Sequence, residues 1–183
     1  MVWAHGTTGV ADICAPSKSS MDLDVKSMIN ELLSAGYVVI APDYEGLGEP
    51  SGTEAHPYLN LKSEAFSITD AVVATRDYLT KQGKSVSKNW VTVGHSQGGH
   101  AALGAGEYQS RAQLDYKGTV AIAPASNLKT IFQVGAASVA NLPATQQVAT
   151  YTSLNTYAAL ITAGMQNPPN ITLYGQVFES EAA

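Results

Sequence analysis

Trp90-Val91-Thr92-Val93-Gly94-His95-Ser96-Gln97-Gly98-Gly99-His100 runs directly into Ala101-Ala102-Leu103-Gly104-Ala105. One aromatic residue, two valines and a threonine have strand character. The stretch therefore reads as a strand, a one-residue sharp turn and a helix rich in small residues, with Ser96 on the turn. Gly94 and Gly98 flank the serine at minus and plus two, because such a strained turn brings those backbones too close for side chains. The turn holds the Ser96 hydroxyl out above the sheet edge. The Gln97 amide, at the start of the helix, faces an oxyanion forming beside it. Three fixed positions recur by chance, so the strand before and the small-residue helix after are what give the motif its weight.

Working outward, Met1-Val2-Trp3-Ala4 is a strand that ends in the glycine-containing loop His5-Gly6-Thr7-Thr8-Gly9. Ser19 or Ser20 caps a helix whose apolar positions Val25, Met28, Ile29, Leu32 and Leu33 recur at helical spacing, and Gly36 stops it. The continuous apolar run Tyr37-Val38-Val39-Ile40-Ala41 fits a strand buried on both faces of a parallel sheet. Residues 42–58 form a loop carrying Asp43 and Glu45. A helix over residues 61–81 places Ala65, Ile68, Val72, Thr75 and Leu79 on one face. After the Ser96 strand and helix, residues 118–123 form a fourth strand closed by Pro124. Strand and helix alternate throughout, which is the signature of a doubly wound, mostly parallel α/β sheet.

From Asn127 onward only Lys129, Glu179 and Glu181 are charged. Helices over residues 128–140 and 144–163 fit this composition. Such a segment either covers an apolar substrate pocket or packs as ordinary core against parts of the protein outside this sequence. The chain thus divides into a core over residues 1–125 and a helical, cap-like or lid-like segment over residues 126–183.

The 183 residues suit one domain, with 45% hydrophobic and 14% charged residues describing a globular protein light on charge. A net charge of −5 gives no electrostatic reason to expect nucleic acid or an anionic membrane surface. No apolar run approaches the roughly 20 residues needed to span a bilayer. The chain enters a strand-like segment at once, so no signal peptide is read and the start looks like a cut or a late start. Cys14 is the only cysteine and forms no internal disulfide. It is either a small half-buried residue beside a loop or the partner of a cysteine elsewhere.

Both the His5–Gly9 loop and Ser96 follow the carboxyl end of a strand, where open α/β sheets bind ligands, so the two are expected side by side. An amide from the first loop would then join that of Gln97 in an oxyanion hole. A serine needs a neighbouring base, normally a histidine oriented by a carboxylate. The histidines are His5, His56, His95 and His100. His95 and His100 are expected to be locked into the turn and the first helical turn with local partners. His5 is expected to brace the oxyanion loop, and His56 sits in a loop before Pro57. None is well placed as the base, and no histidine follows His100 in the sequence. The spacing Gly46-Leu47-Gly48 then Gly52 does not fit a dinucleotide loop, and no pair has metal-ligand spacing. Asn170-Ile171-Thr172 is a formal glycosylation acceptor and reads as a chance occurrence.

With these residues in hand the chain resembles an α/β-hydrolase, and more narrowly the secretory lipase family that includes the yeast lipase A type and many bacterial members. The stretches that carry the resemblance are Ala4-His5-Gly6-Thr7-Thr8-Gly9, Cys14-Ala15-Pro16-Ser17, Ala41-Pro42-Asp43-Tyr44-Glu45-Gly46-Leu47-Gly48, His56-Pro57-Tyr58-Leu59 and Gly94-His95-Ser96-Gln97-Gly98-Gly99-His100-Ala101. The resemblance implies a secreted serine esterase or lipase acting on an acyl ester or lipid, in contact with a lipid interface, with no cofactor and no metal. It implies Ser96 as nucleophile and the amides of Gln97 and Thr7 as the oxyanion hole. It also implies a catalytic Asp and His that this sequence does not contain, so the chain reads as an N-terminal and central fragment of the fold. The alternatives are an inactive fragment or pseudo-enzyme that binds an acyl ligand or partner, and another acyl hydrolase such as a thioesterase or peptidase. The four strands are expected parallel in the spatial order second, first, third, fourth. The outer two would be left as open edges through which the chain self-associates.

Overall fold

The computed structural model describes residues 1–52 and 54–166. The Asn170-Ile171-Thr172 acceptor and the end of the cap-like segment lie outside these residues. Three strands, β1 (Val2–Ala4), β2 (Asn89–His95) and β3 (Asp115–Ile122), form a parallel sheet in that order. The helices are α1 (Leu23–Ser34), α2 (Leu61–Lys81), α3 (Gln97–Glu107), α4 (Leu128–Val139) and α5 (Ala144–Gly164). The fold is α/β, doubly wound, with a C-terminal helical segment.

Register positions the site. Ala4 pairs with Gly94, and Gly94 with Ala121, so the three strands end at the same edge and hand their loops to it. A bulge between Trp90 and Val91, opposite Gly118 at φ 145°, lets β3 begin at Asp115, three residues before the apolar run that announced it. Tyr116 then packs on Trp90 with ring centroids 4.5 Å apart. The core lies where α3 and α2 meet the sheet. Ala101, Ala102 and Ala105 are fully buried against Val2 and Ala4, and Ile68 and Val72 of α2 close the layer. Small side chains here let α3 approach closely: a β-carbon on Gly104 would lie 2.9 Å from the Leu61 carbonyl oxygen.

Two expectations need correction. Helix α1 is capped by Asp22, not by Ser19 or Ser20; the Asp22 carboxylate accepts from the N–H groups of Asp24 (2.9 Å) and Val25 (3.4 Å). Ser19 ends a 3₁₀ turn begun by Pro16, and its hydroxyl is spent on the Pro16 carbonyl (3.4 Å). The helix does stop at Gly36, where φ is +84° and the N–H groups of Gly36 and Tyr37 bond back to the carbonyls of Leu33 and Leu32.

The second correction concerns residues 37–41. Ile40 lies parallel to β1, in the place expected, with Trp3 N–H donating to its carbonyl (2.8 Å) and its own N–H donating to Met1 (2.9 Å). It makes a single bridge, however, and no regular strand forms. Tyr37 is 55% exposed and Val38 40% exposed, so the run is not buried on both faces. Helix α1, which would have to cover it, has no buried residue.

Candidate active site

Ser96 joins β2 to α3 with φ 57° and ψ −119°. Holding a residue with a side chain there costs on the order of 1–3 kcal/mol and persists only where the surroundings fix it. Ser96 N–H donates to the Ile122 carbonyl (3.0 Å), and its carbonyl accepts from the N–H groups of Ala125 (3.1 Å) and His100 (3.1 Å). The turn is thereby tied to the end of β3 as well as to its own helix. A β-carbon on Gly94 would fall on the Gly98 carbonyl, and one on Gly98 would strike the carbonyls of Ala4 and His5. On Gly99 it would sit 2.9 Å from the Ile122 carbonyl oxygen. The start of α3 is pressed between β1 and the end of β3, and only glycine fits at these positions. The Ser96 hydroxyl does not cap α3. The first-turn N–H groups of the helix, that of Gln97 first among them, have no partner within it.

The loop after β1 lies against this turn. A β-carbon on Gly6 would stand 3.4 Å from the His95 carbonyl oxygen. Thr7 Oγ1 and the Tyr58 hydroxyl share a hydrogen bond of 2.8 Å. Tyr58 and Ser96 together line a cavity of about 190 Å³ whose far walls are Leu128, Phe132, Leu154 and Ile161 of α4 and α5. Thr7 itself lines a second hollow of about 340 Å³, with His5, His95, Ser20 and Asp22. Helices α4 and α5 pack on each other at Gly135 and Leu154, and α5 reaches the core where Gly164 abuts Tyr58. Helices α4 and α5 wall the cavity at Ser96 and also leave Val134, Val148 and Tyr151 exposed.

Beneath the turn lies a buried polar chain. Gln97 is 1% exposed, and its side-chain nitrogen donates to Glu64 Oε1 (2.9 Å) and to His56 Nε2 (3.0 Å). His56 Nδ1–H donates to the Glu45 carbonyl (2.7 Å), which fixes the neutral tautomer. Burial pushes the His56 imidazole below its ordinary value, against a weaker upward pull from that bond and from Glu64 and Glu45. Glu64 is fully buried, and its Oε2 accepts from His100 Nδ1 (2.7 Å). An unpaired carboxylate so placed would cost several kcal/mol, and here both oxygens are engaged. Tyr44, also buried, donates its hydroxyl to the His5 carbonyl (2.9 Å) and stacks between His5 (4.1 Å) and His56 (6.0 Å). Burial raises its phenol well above the usual range.

The histidines are therefore accounted for as follows. His5 braces its loop, donating from Nδ1 to the Gly6 carbonyl (2.7 Å), and burial holds its pKa down. His56 is committed at both nitrogens. His95 is exposed at the end of β2. His100 is not held by local groups, as the sequence suggested, but by Glu64 across the helix pair; residues 36 apart are invisible to each other in a linear reading. Glu64 escaped notice for the same reason, although it stands four residues before Ile68 on the apolar stripe of α2, where a carboxylate is out of place. Cys14 is half-buried, its sulfur packed against Gly9, where a β-carbon would meet it.

A profile of the alpha/beta hydrolase family matches residues 1–180. No curated protein matches the chain. Among solved structures it is similar to a Legionella pneumophila protein at 19% identity and TM-score 0.59, over 96% of this chain and 47% of that one. It is similar to the rice cell wall degrading esterase LipA from Xanthomonas oryzae at 26% identity and TM-score 0.56, over 73% of this chain and 36% of that one. Candida antarctica lipase A shares the fold at 24% identity and TM-score 0.50, over 64% of this chain and 29% of that one. The chain thus spans less than half the length of each of these structures. The strained serine turn, the glycines it requires and the parallel sheet beneath it agree with the family profile: the chain belongs to the alpha/beta hydrolase family.

Proposed function

We propose that this chain carries the nucleophile and oxyanion side of a serine carboxylic-ester hydrolase. The single observation that supports it most is Ser96, held at positive φ between glycines with no room for a side chain, its hydroxyl not spent on the helix cap, opening onto an apolar cavity. In this reading Ser96 Oγ attacks the acyl carbonyl, and the main-chain N–H groups of Gln97 and Thr7 receive the oxyanion. The carbonyl re-forms as the alcohol leaves, and water then releases the acyl group from Ser96. The acyl chain lies along Leu128, Phe132 and Leu154, so that residues 126–183 act as a cap on a core of residues 1–125. The chemistry calls for no cofactor.

The base and its carboxylate come, in this proposal, from outside these 183 residues: His56 is bonded at both ring nitrogens, His100 is held by Glu64, and His5 is buried with Nδ1 on the Gly6 carbonyl. The esterase reading and an extracellular setting draw on LipA, an esterase that degrades rice cell walls. A second reading, a non-catalytic protein that binds an acyl group in the same cavity, is favoured by those committed histidines. Hydrolysis of p-nitrophenyl esters of graded chain length, parent against Ser96→Ala, separates the two. Turnover lost in Ser96→Ala supports the hydrolase. Acyl binding without Ser96-dependent turnover, with the missing segment supplied, supports the other.

A further inference from the structure

Glu64 is a carboxylate with no exposure, and it touches the His100 imidazole at 2.7 Å. It stands in the first turn of α2, and both of its partners belong to the first turn of α3, so that it faces the N-terminal, positive ends of two helices. Its two oxygens are divided between Gln97 at 2.9 Å and His100 at 2.7 Å, positions 97 and 100 being neighbours on one helical face. Gln97 has no side-chain donor left, since its second N–H goes to His56 at 3.0 Å. The residue that bears the main-chain N–H beside Ser96 is therefore held from two sides by its own side chain. Gly98 and Gly99, which follow, can offer no such hold.

We propose that Glu64 is a positioning residue for the oxyanion hole: by clamping Gln97 and His100 from α2 it fixes the first turn of α3, and with it the direction of the Gln97 main-chain N–H. The proposal rests on the reading of Ser96 as nucleophile. Glu64 touches no substrate. It acts through Gln97, so its removal should weaken the transition state and leave acyl binding alone.

Three variants test it. Glu64→Leu removes both acceptors. Glu64→Gln keeps an acceptor for Gln97 and can donate to His100 once that ring changes tautomer. Gln97→Met cuts the clamp and leaves Glu64 in place. In the hydrolase completed with its base-bearing segment, Glu64→Leu and Gln97→Met should lower kcat on a p-nitrophenyl ester by about 10–100-fold, in the range of losing one oxyanion donor or less. KM should stay within about twofold, and Glu64→Gln should recover most of the loss, to within about fivefold of the parent. In the 183-residue chain, amide exchange and the ¹⁵N shift of the Gln97 main chain should move in Glu64→Leu, the imidazole ¹⁵N shifts of His56 should move in Glu64→Leu and Gln97→Met, and all should stay close to the parent in Glu64→Gln. Unchanged Gln97 and His56 signals in a folded Glu64→Leu variant overturn the clamp, whatever the kinetics. A loss confined to KM, or an equal loss in Glu64→Gln, overturns it as well. Turnover that survives Ser96→Ala while those signals move as stated would overturn the nucleophile assignment and leave the clamp standing.

Discussion

The turn at Ser96 and the run at residues 37–41 are both short, apolar-flanked stretches at the sheet, yet they are held in opposite ways. Ser96 is strained and fixed on every side: by Ile122 and Ala125 through the backbone, by Ala4 and His5 at Gly98, and by Glu64 through Gln97 and His100. Residues 37–41 have no positive φ and meet β1 through a single bridge at Ile40 and the Met1 ammonium on the Val38 carbonyl (2.7 Å), with the Tyr37 and Val38 side chains open to solvent. The contrast shows where rigidity is invested. A strained turn must carry its own support within the local core, whereas the outer run depends on whatever packs outside it.

The harshest way to break the contrast is Gly98→Ala. Its β-carbon would land on the Ala4 carbonyl, which the paired β1 cannot withdraw, so a loss of about 3 kcal/mol or more is expected. Thermal or urea unfolding checks it, and a loss under 1 kcal/mol would mean the turn is looser than described. Acid comes next. Burial lowers the folded-state pKa of both His5 and His56, so the unfolded chain binds more protons as pH falls below its histidine value of about 6.5. Stability is full above that pH and falls below it until the folded rings titrate, by at most about 1.4 kcal/mol per pH unit for each histidine. Urea midpoints from pH 7.5 to 5 should show the slope, and His56→Gln should flatten it.

Relief of strain should work in the other direction. Ser96→Gly removes the cost of a side chain at φ 57°, and a gain of about 1 kcal/mol is expected with loss of any Ser96 chemistry. The smallest thermodynamic effect belongs to the periphery. Tyr37→Ser with Val38→Lys should change stability by less than about 0.5 kcal/mol, since both side chains are exposed. The same pair should reduce self-association in sedimentation, because Tyr37, Val38 and the exposed Val120 and Ile122 of β3 mark the two open edges. Unchanged association would place the contact elsewhere.

What the sequence disclosed follows the same division. The Ser96 turn is written locally, in glycines two residues either side and an apolar strand ahead, so its reading needs no long-range knowledge. Helices α2, α4 and α5 were legible to within a residue from spacing and composition. The run at 37–41 misled because apolar β-branched residues report a preference for burial and not whether anything covers them. The cap of α1 misled because Ser and Asp compete closely for that role, and Pro16 had already claimed Ser19 for a turn. The clamp was beyond reach, since Glu64, His56 and Gln97 meet only once α2 and α3 pack.

The central claim is that these residues hold a prepared nucleophile whose base lies outside them. The most direct measurement is hydrolysis of a p-nitrophenyl ester by the 183-residue chain and by the same chain supplied with a segment bearing an Asp and a His, each with and without Ser96→Ala. The account predicts weak or no turnover by the short chain, at best the roughly 10³–10⁴-fold over water left when a triad member is missing, and Ser96-dependent turnover once the segment is added. Full enzyme-like rates from the short chain that vanish in His100→Ala or His56→Ala would make a local histidine the base and contradict it.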